Sequence, residues 1–386
     1  MAIAINMILD NLPSNHEEIT AFLNHYKFPV AVCTTLFAIC ATMVVTPKVV
    51  AISKAKNLTA SPNDRTSHKG IVPTLGGIGV FTGMILPINV TAILFANYSQ
   101  LIDLLIFNAL ILALLLIGIF DDIMKLSAVR KLGYQLVVAT IYVLGANMYI
   151  DSFLGLFGMD DIPITYSIIF SVFVIVLLIN AYNLVDGIDG LAGVLGVLIS
   201  GYMSIVFYLT NHFFYSLVCL SLVGALIGFL VFNFSRHRKI FLGDTGSLIV
   251  GFLLALEVVT YLSLGARESQ LIMFKNAPVI VLALVSYPLF DTLRVFFIRI
   301  INKRSPFSPD RNHIHHRLVD LGLKHKYATL IIGLYTIIIT GLAILLRDLP
   351  INKAFFIILP AGIVLLLFPF ILKVKSGKVK WVVPTL

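Results

Sequence analysis

Charge is scarce in this chain of 386 residues: Asp, Glu, Lys and Arg together make up 12% of it, against 59% hydrophobic residues. Soluble domains run at about a quarter charged and about half apolar. The composition therefore excludes an ordinary soluble globule and places most of the chain in lipid. Cysteine is scarce too. Cys33, Cys40 and Cys219 each sit inside an apolar run, which excludes a disulfide framework or a thiolate metal site and leaves three small buried hydrophobes. No basic stretch precedes a short apolar run near Met1, so residues 1–26 do not read as a cleavable signal peptide. There is no internal repeat, no low-complexity segment, and no Ser-His-Asp or Cys-His arrangement. Nothing in the sequence asks for a nucleic acid as partner.

What remains is a set of long apolar runs. A bilayer crossing needs about 20 mostly apolar residues, and eleven stretches qualify: roughly 28–50, 74–97, 101–120, 131–149, 164–183, 190–210, 212–234, 246–265, 277–300, 327–346 and 353–373. The fourth is the most polar, opening with Gly133, Tyr134 and Gln135. The fold expected is an all-α polytopic integral membrane protein, a single membrane-embedded domain over 1–386. Lys and Arg set its orientation. With the N-terminus outside and the C-terminus cytoplasmic, the inner segments carry 23 of the 28 Lys and Arg and the outer side carries 5. The inner loops expected to form the site are then approximately 51–73, 120–131, 180–191, 233–247 and 301–326.

These loops hold the polar motifs. The run Asn180-Ala-Tyr-Asn183-Leu-Val-Asp186-Gly-Ile-Asp189-Gly follows one apolar stretch and precedes another. Its three-residue steps keep two carboxamides and two carboxylates on one broad helical face. Polar groups at that depth are costly unless paired or functional. Asp121-Asp122 are adjacent carboxylates at a membrane edge. They repel each other and want a cation, and Mg²⁺ takes one or two carboxylates together with substrate phosphates and water. Lys125 and Lys131 suit phosphate oxygens. Gly243-Asp244-Thr245-Gly246-Ser247 places one acid on a tight turn before a span, with Thr245 or Ser247 available as a helix cap. Near Lys69, the glycines at 76, 77 and 79 allow close approach either of a ligand or of a neighbouring helix.

In the longest inner loop, Arg311-Asn-His313-Ile-His315-His316-Arg317 could suggest zinc. The flanking arginines speak against a cation and for an anion clamp on a diphosphate. Asp291 follows Pro288 in the ninth stretch and has Arg294 one turn on, an ion pair beside a proline bend. Asp103 and Glu257 receive no role. Together the inner carboxylates and basic groups are the parts for Mg²⁺-assisted phosphoryl transfer at a membrane edge. An ion-coupled transporter would instead carry its acids deep within spans.

At these residues the chain resembles the polyprenyl-phosphate N-acetylhexosamine-1-phosphate transferases. The likeness runs from about Arg65 to Arg317 through Pro73-Thr-Leu-Gly-Gly, Asp121-Asp122, Asn180 to Leu191, Phe241 to Ser247 and Arg311 to His316. The His-Ile-His-His form is similar to the branch that transfers N-acetylglucosamine-1-phosphate. The peptidoglycan-precursor branch, which uses UDP-MurNAc-pentapeptide, has three consecutive histidines, and this chain lacks them. The resemblance implies that undecaprenyl phosphate attacks the β-phosphorus of a UDP-N-acetylhexosamine at the bacterial cytoplasmic membrane, releasing UMP, in cell-envelope polysaccharide synthesis. It implies Mg²⁺, or Mn²⁺, on Asp244 and Asn183, and catalytic duties for Asp121, Asp122, Asp186 and Asp189. Asn180, Asn233, Arg311, His313, His315 and His316 would hold the nucleotide-sugar, and Lys69, Lys125 and Lys131 the lipid phosphate. The lipid tail is expected in a groove by the bent ninth span. A homodimer is compatible with all of this and required by none of it.

Overall fold

In a computed structural model the chain is described at residues 26–60, 72–95, 98–305, 312–375 and 378–381. Thirteen α-helices lie among the described residues: α1 Lys27–Ala55, α2 Gly76–Phe95, α3 Tyr98–Met124, α4 Ala128–Gly145, α5 Ile164–Val185, α6 Leu191–Leu209, α7 Phe213–Asn233, α8 Gly243–Arg267, α9 Ala277–Leu284, α10 Ser286–Ile301, α11 Ile314–Asp320, α12 His325–Leu345 and α13 Ile351–Ile371. Two small antiparallel hairpins complete it, β1 Thr59–Ala60 with β2 Val72–Pro73, and β3 Leu372–Lys375 with β4 Lys378–Trp381.

Each apolar stretch expected to cross the membrane is helical. Eight helices are long and apolar enough to span a bilayer, and a ninth arises if α9 and α10 are one span bent by 68°. The bend falls at Val285, just before Pro288. Proline lacks the N–H that would continue the ladder from α9, yet fits the first turn of the next helix. The fourth stretch begins earlier than expected, at Ala128, with the Ser127 hydroxyl accepting from the Arg130 amide at 3.5 Å. Outward faces carry bare apolar side chains such as Leu105, Leu116, Phe173, Phe297 and Val364, a surface that water would penalise and lipid does not. The chain is thus a helical, multi-pass membrane protein.

Helix α8 is the axis of the bundle. Every residue from Thr245 to Gly265 is buried, as befits a helix that is apolar all round. Helices α2, α3, α5 and α6 pack around it. Its first turn is held very closely. A Cβ at Gly77 of α2 would fall on the Gly246 backbone, and one at Gly118 of α3 on the Thr245 backbone. The glycines at 76 and 77 therefore serve helix packing. The amides of Gly76 and Gly77 also donate to the Phe241 and Leu242 carbonyls at 3.0 and 2.9 Å, while the Phe241 amide donates to the Pro73 carbonyl at 2.9 Å. The start of α2 thereby fixes the segment that delivers Asp244.

Candidate active site

Asp244 enters on a turn that only glycine tolerates easily. Gly243 has φ +72°, and a Cβ there would meet the Thr74 carbonyl and the Asp122 carboxylate. Asp122, at the end of α3, accepts from the backbone amides of Asp244 (3.0 Å) and Thr245 (2.9 Å) and from the Thr245 hydroxyl (2.6 Å). A carboxylate on the exposed amides of a helix N-terminus satisfies orphan donors and meets the positive end of the helix dipole. Its oxygens clamp α3 to α8. The capping role considered for Thr245 or Ser247 is supplied from another helix.

Asp121, one residue earlier, is 3% exposed. One oxygen accepts from the Leu126 amide at 2.9 Å, and the other is ion-paired with Lys131. Lys131, on the first turn of α4, also reaches Asp244 Oδ1 at 2.9 Å. The same oxygen accepts from the Asn183 carboxamide at 2.7 Å, which in turn reaches the Ser247 hydroxyl at 2.7 Å. Four helices, α3, α4, α5 and α8, thus converge through one ammonium group and two carboxylates. Lys125 follows α3 with φ +56° and is exposed, within electrostatic reach of Asp244.

Asp186 terminates α5. Desolvation pushes its carboxyl up to about 8, the charges of Asp244 and Asp122 add to the rise, and the Gly243 amide counteracts it. Carboxylates this crowded are short of positive charge. Asp244 and Asp186 fit the Mg²⁺ that the resemblance implies, with the Asn183 carboxamide able to present its oxygen by a half-turn. Among the described residues no three His, Cys, Asp or Glu side chains form a metal-holding group.

A second wall is built from loops. Asp189 accepts from Lys239 at 2.7 Å and lies 2.9 Å from His325 Nδ1, and its carbonyl accepts from the Thr329 hydroxyl at 2.9 Å. Asn233, expected on the nucleotide-sugar, accepts from the Gly190 amide at 2.6 Å and donates to the Ile240 carbonyl at 2.8 Å. Its carboxamide is used at both ends in joining two loops. His315 lies in α11. It is 0% exposed, with Nδ1 3.1 Å from the Tyr287 hydroxyl and Nε2 packed against Gly187. Burial holds its imidazole well below the usual histidine range, so it is neutral. The His313 ring stacks on it at a centroid distance of 5.4 Å, and the His316 ring packs against it at 4.4 Å, tilted by 51°.

Asp291 orders this histidine segment. It accepts from Arg294 at 3.0 Å, as its spacing suggested, and also from the Ile314 amide at 3.1 Å, and lies 2.9 Å from His313 Nδ1. No local spacing signals the His313 and Ile314 contacts, nor His325 on Asp189. Arg311 and Lys69 lie outside the described residues.

Asn180 faces the other way. Its carboxamide donates to the Gln135 side chain at 2.6 Å and to the Val176 carbonyl at 2.8 Å. It stands at the polar end of an apolar cleft of about 550 Å³ between α4, α5 and α10, lined by Leu132, Leu136, Val172 and Phe296 among others. Gln135 is one turn from Lys131, and Asn180 one turn from Asn183, so the lining of the cleft comes within a helical turn of residues of the charged cluster.

The family model for glycosyl transferase family 4 matches residues 104–262, a stretch that includes Asp121, Asp122, Lys131, Asp186, Asp189 and Asp244. A "Probable undecaprenyl-phosphate N-acetylglucosaminyl 1-phosphate transferase" of Bacillus subtilis (strain 168) is 30% identical over 346 residues, covering 87% of this chain and 89% of that protein. An "Undecaprenyl-phosphate alpha-N-acetylglucosaminyl 1-phosphate transferase" of Salmonella typhi is 27% identical over 291 residues, 74% of this chain and 76% of its own length. Its counterpart in Escherichia coli (strain K12) is 26% identical over 298 residues, 76% and 78%. With that likeness over nearly the whole chain, and the charged cluster inside the matched stretch, the chain belongs to glycosyl transferase family 4, among the undecaprenyl-phosphate N-acetylglucosaminyl 1-phosphate transferases.

Proposed function

We propose that this protein transfers N-acetylglucosamine-1-phosphate from its UDP-sugar to undecaprenyl phosphate, releasing UMP. The observation that carries the reading is the junction of an apolar cleft with the Asp121–Lys131–Asp244 cluster. A polyprenyl chain suits the cleft between α4, α5 and α10, and its phosphate then arrives at Lys131. A phosphate monoester has its second pKa near about 6 and is already largely ionised at neutral pH. It needs alignment and charge neutralisation more than a base. Lys131 supplies both, and Asp121 aims Lys131. An oxygen of the lipid phosphate attacks the β-phosphorus, the bond to the α-phosphate oxygen breaks, and UMP leaves.

This reading is direct attack. Asp121 is buried with both oxygens engaged, which disfavours a covalent phosphoryl-Asp121. Mg²⁺ on Asp244 and Asp186 would neutralise the diphosphate of the donor. The His313–His316 segment and Arg311 would approach that donor from the loop wall. The reading includes eleven crossings, with the N-terminus outside and the cluster facing the cytoplasm, in keeping with the excess of Lys and Arg in the segments that carry the motifs.

The test is a product assay. Purified protein, undecaprenyl phosphate and Mg²⁺ are incubated with UDP-N-acetylglucosamine, UDP-N-acetylgalactosamine and UDP-MurNAc-pentapeptide in turn, with UMP and lipid-linked product measured. UMP release with UDP-N-acetylglucosamine is expected. Turnover with the pentapeptide donor alone, or a phosphorylated Asp121 trapped during turnover, would overturn the substrate and the direct-attack assignments respectively.

A further inference from the structure

Helices α3, α4, α6, α7 and α8 enclose a second cavity at the end of the bundle away from Asp244. It holds about 50 Å³ of solvent-sized space, room for about four water-sized groups. At about 1.5 Å per helical residue, Asp103 lies about 27 Å from Asp121 along α3, and Glu257 about 20 Å from Asp244 along α8. The cavity is therefore separate from the transferase cluster.

Its lining is chemically one-sided. Asp103 stands part-exposed at the mouth and Glu257, 5% exposed, lies deep. The walls include the rings of Phe107, Tyr142, Phe207 and Tyr215, and no Lys, Arg or His lines the space. Glu257 takes the Ser200 hydroxyl at 2.8 and 2.9 Å from its two oxygens. One hydroxyl has one proton and serves one oxygen at a time. The neighbouring Cys219 thiol is a weak donor. A carboxylate buried with donors of this kind is poorly compensated, and aromatic faces attract a cation. An inorganic cation would want several oxygen ligands, whereas aromatic walls with one deep acid suit an organic one.

We propose that this cavity binds a short alkylammonium group, its charge on Glu257, its carbons against the rings, with Asp103 drawing cations to the mouth. The group belongs either to a soluble amine or to the amino headgroup of a lipid. The chemistry is the same in both cases.

The experiment is equilibrium binding of radiolabelled n-butylammonium to the full chain in maltoside micelles, which contain no amine. Saturable binding at one site per chain is expected. It should weaken at least about tenfold in Glu257→Gln, which keeps shape and removes charge, and in Val218→Phe, which fills the cavity; about tenfold in Kd corresponds to 1.4 kcal/mol. Retained transferase turnover reports that each variant is folded, and if Glu257→Gln fails to fold, Val218→Phe decides alone. Uncharged n-butanol should not compete. Adding phosphatidylethanolamine assigns the source: displacement of n-butylammonium points to a lipid headgroup, and none to a soluble amine. Absence of saturable binding, binding unchanged in both variants, or equal competition by n-butanol would overturn the proposal.

Discussion

The two walls of the site use similar residues in opposite ways. On the helix wall, charge meets charge. Lys131 bridges Asp121 and Asp244, and Asn183 meets Asp244 from the far side. On the loop wall, polar groups hold backbone. Asn233 joins Gly190 to Ile240, Asp291 receives the Ile314 amide, and Thr329 holds the Asp189 carbonyl. The lesson is that an Asp or Asn in a motif carries two meanings. Where its ion pairs gather beside other acids it is placed for chemistry, and where it holds amides or carbonyls it builds the frame, as Asp291 does while also pairing with Arg294. Asp122 shows how sharply this can change, since it adjoins Asp121 in sequence and yet belongs to the frame.

This division makes the largest expected effect a loss of charge on the helix wall. Lys131→Met should lower kcat by about 10³-fold, the scale of losing one preorganised charged donor. Some stability should be lost as well, because Asp121 is left buried without its ion pair. A steady-state assay of UMP release checks it. An effect under about tenfold would move the chemistry away from this wall.

On the frame, Asp122→Asn should act mainly on stability. The side chain keeps its shape but loses the charge that faces the first turn of α8, worth up to about 2 kcal/mol in a partly buried setting. A lowered melting temperature in lipid nanodiscs, with donor KM nearly unchanged, is the expected pattern. Catalytic loss at full stability would return Asp122 to the reacting groups.

Asn233→Ala should cost a further-reaching but milder disorder of the loop wall. It leaves the Gly190 amide and the Ile240 carbonyl without their partner, at about 1–3 kcal/mol for buried groups left unpaired. Donor KM should rise more than kcat falls, because the loops on that side lose their registration. Equal damage to the apparent affinity for undecaprenyl phosphate would contradict the separation of the walls.

The smallest effect is on pH dependence. His315 is neutral in the fold because burial lowers its pKa, while an unfolded histidine titrates near about 6.5. Above that pH both states are neutral and the residue contributes no pH dependence. As pH falls below it, only the unfolded chain takes the proton, so stability declines with acid, by at most about 1.4 kcal/mol per pH unit. His315→Gln should flatten the melting temperature between pH 7 and pH 5, read by thermal unfolding at each pH.

Much of the molecule was legible before its structure. A bilayer demands long apolar helices with internally satisfied backbones, so the positions of the crossings follow from hydropathy. Adjacent carboxylates marked Asp121, three-residue steps marked Asp186, a lone acid on a glycine turn marked Asp244, and one-turn spacing marked Asp291 with Arg294. The partners were not legible. Lys131 and Asp244 are 113 residues apart, and His325 and Asp189 136, and no local periodicity links such distances. His315 lies in a motif that reads as an anion clamp, yet the apolar Ile314 and Leu318 turn that short helix inward and bury the ring.

The sequence by itself determined a helical membrane protein with its acids gathered at span ends, because lipid leaves so few ways to satisfy a backbone and so few places to keep a charge. The tertiary structure decided which of those acids remain available for chemistry. That choice depends on which donors come within hydrogen-bond reach after α2, α3, α4 and α5 close around the first turn of α8, and distance in space is the one quantity a linear chain does not carry.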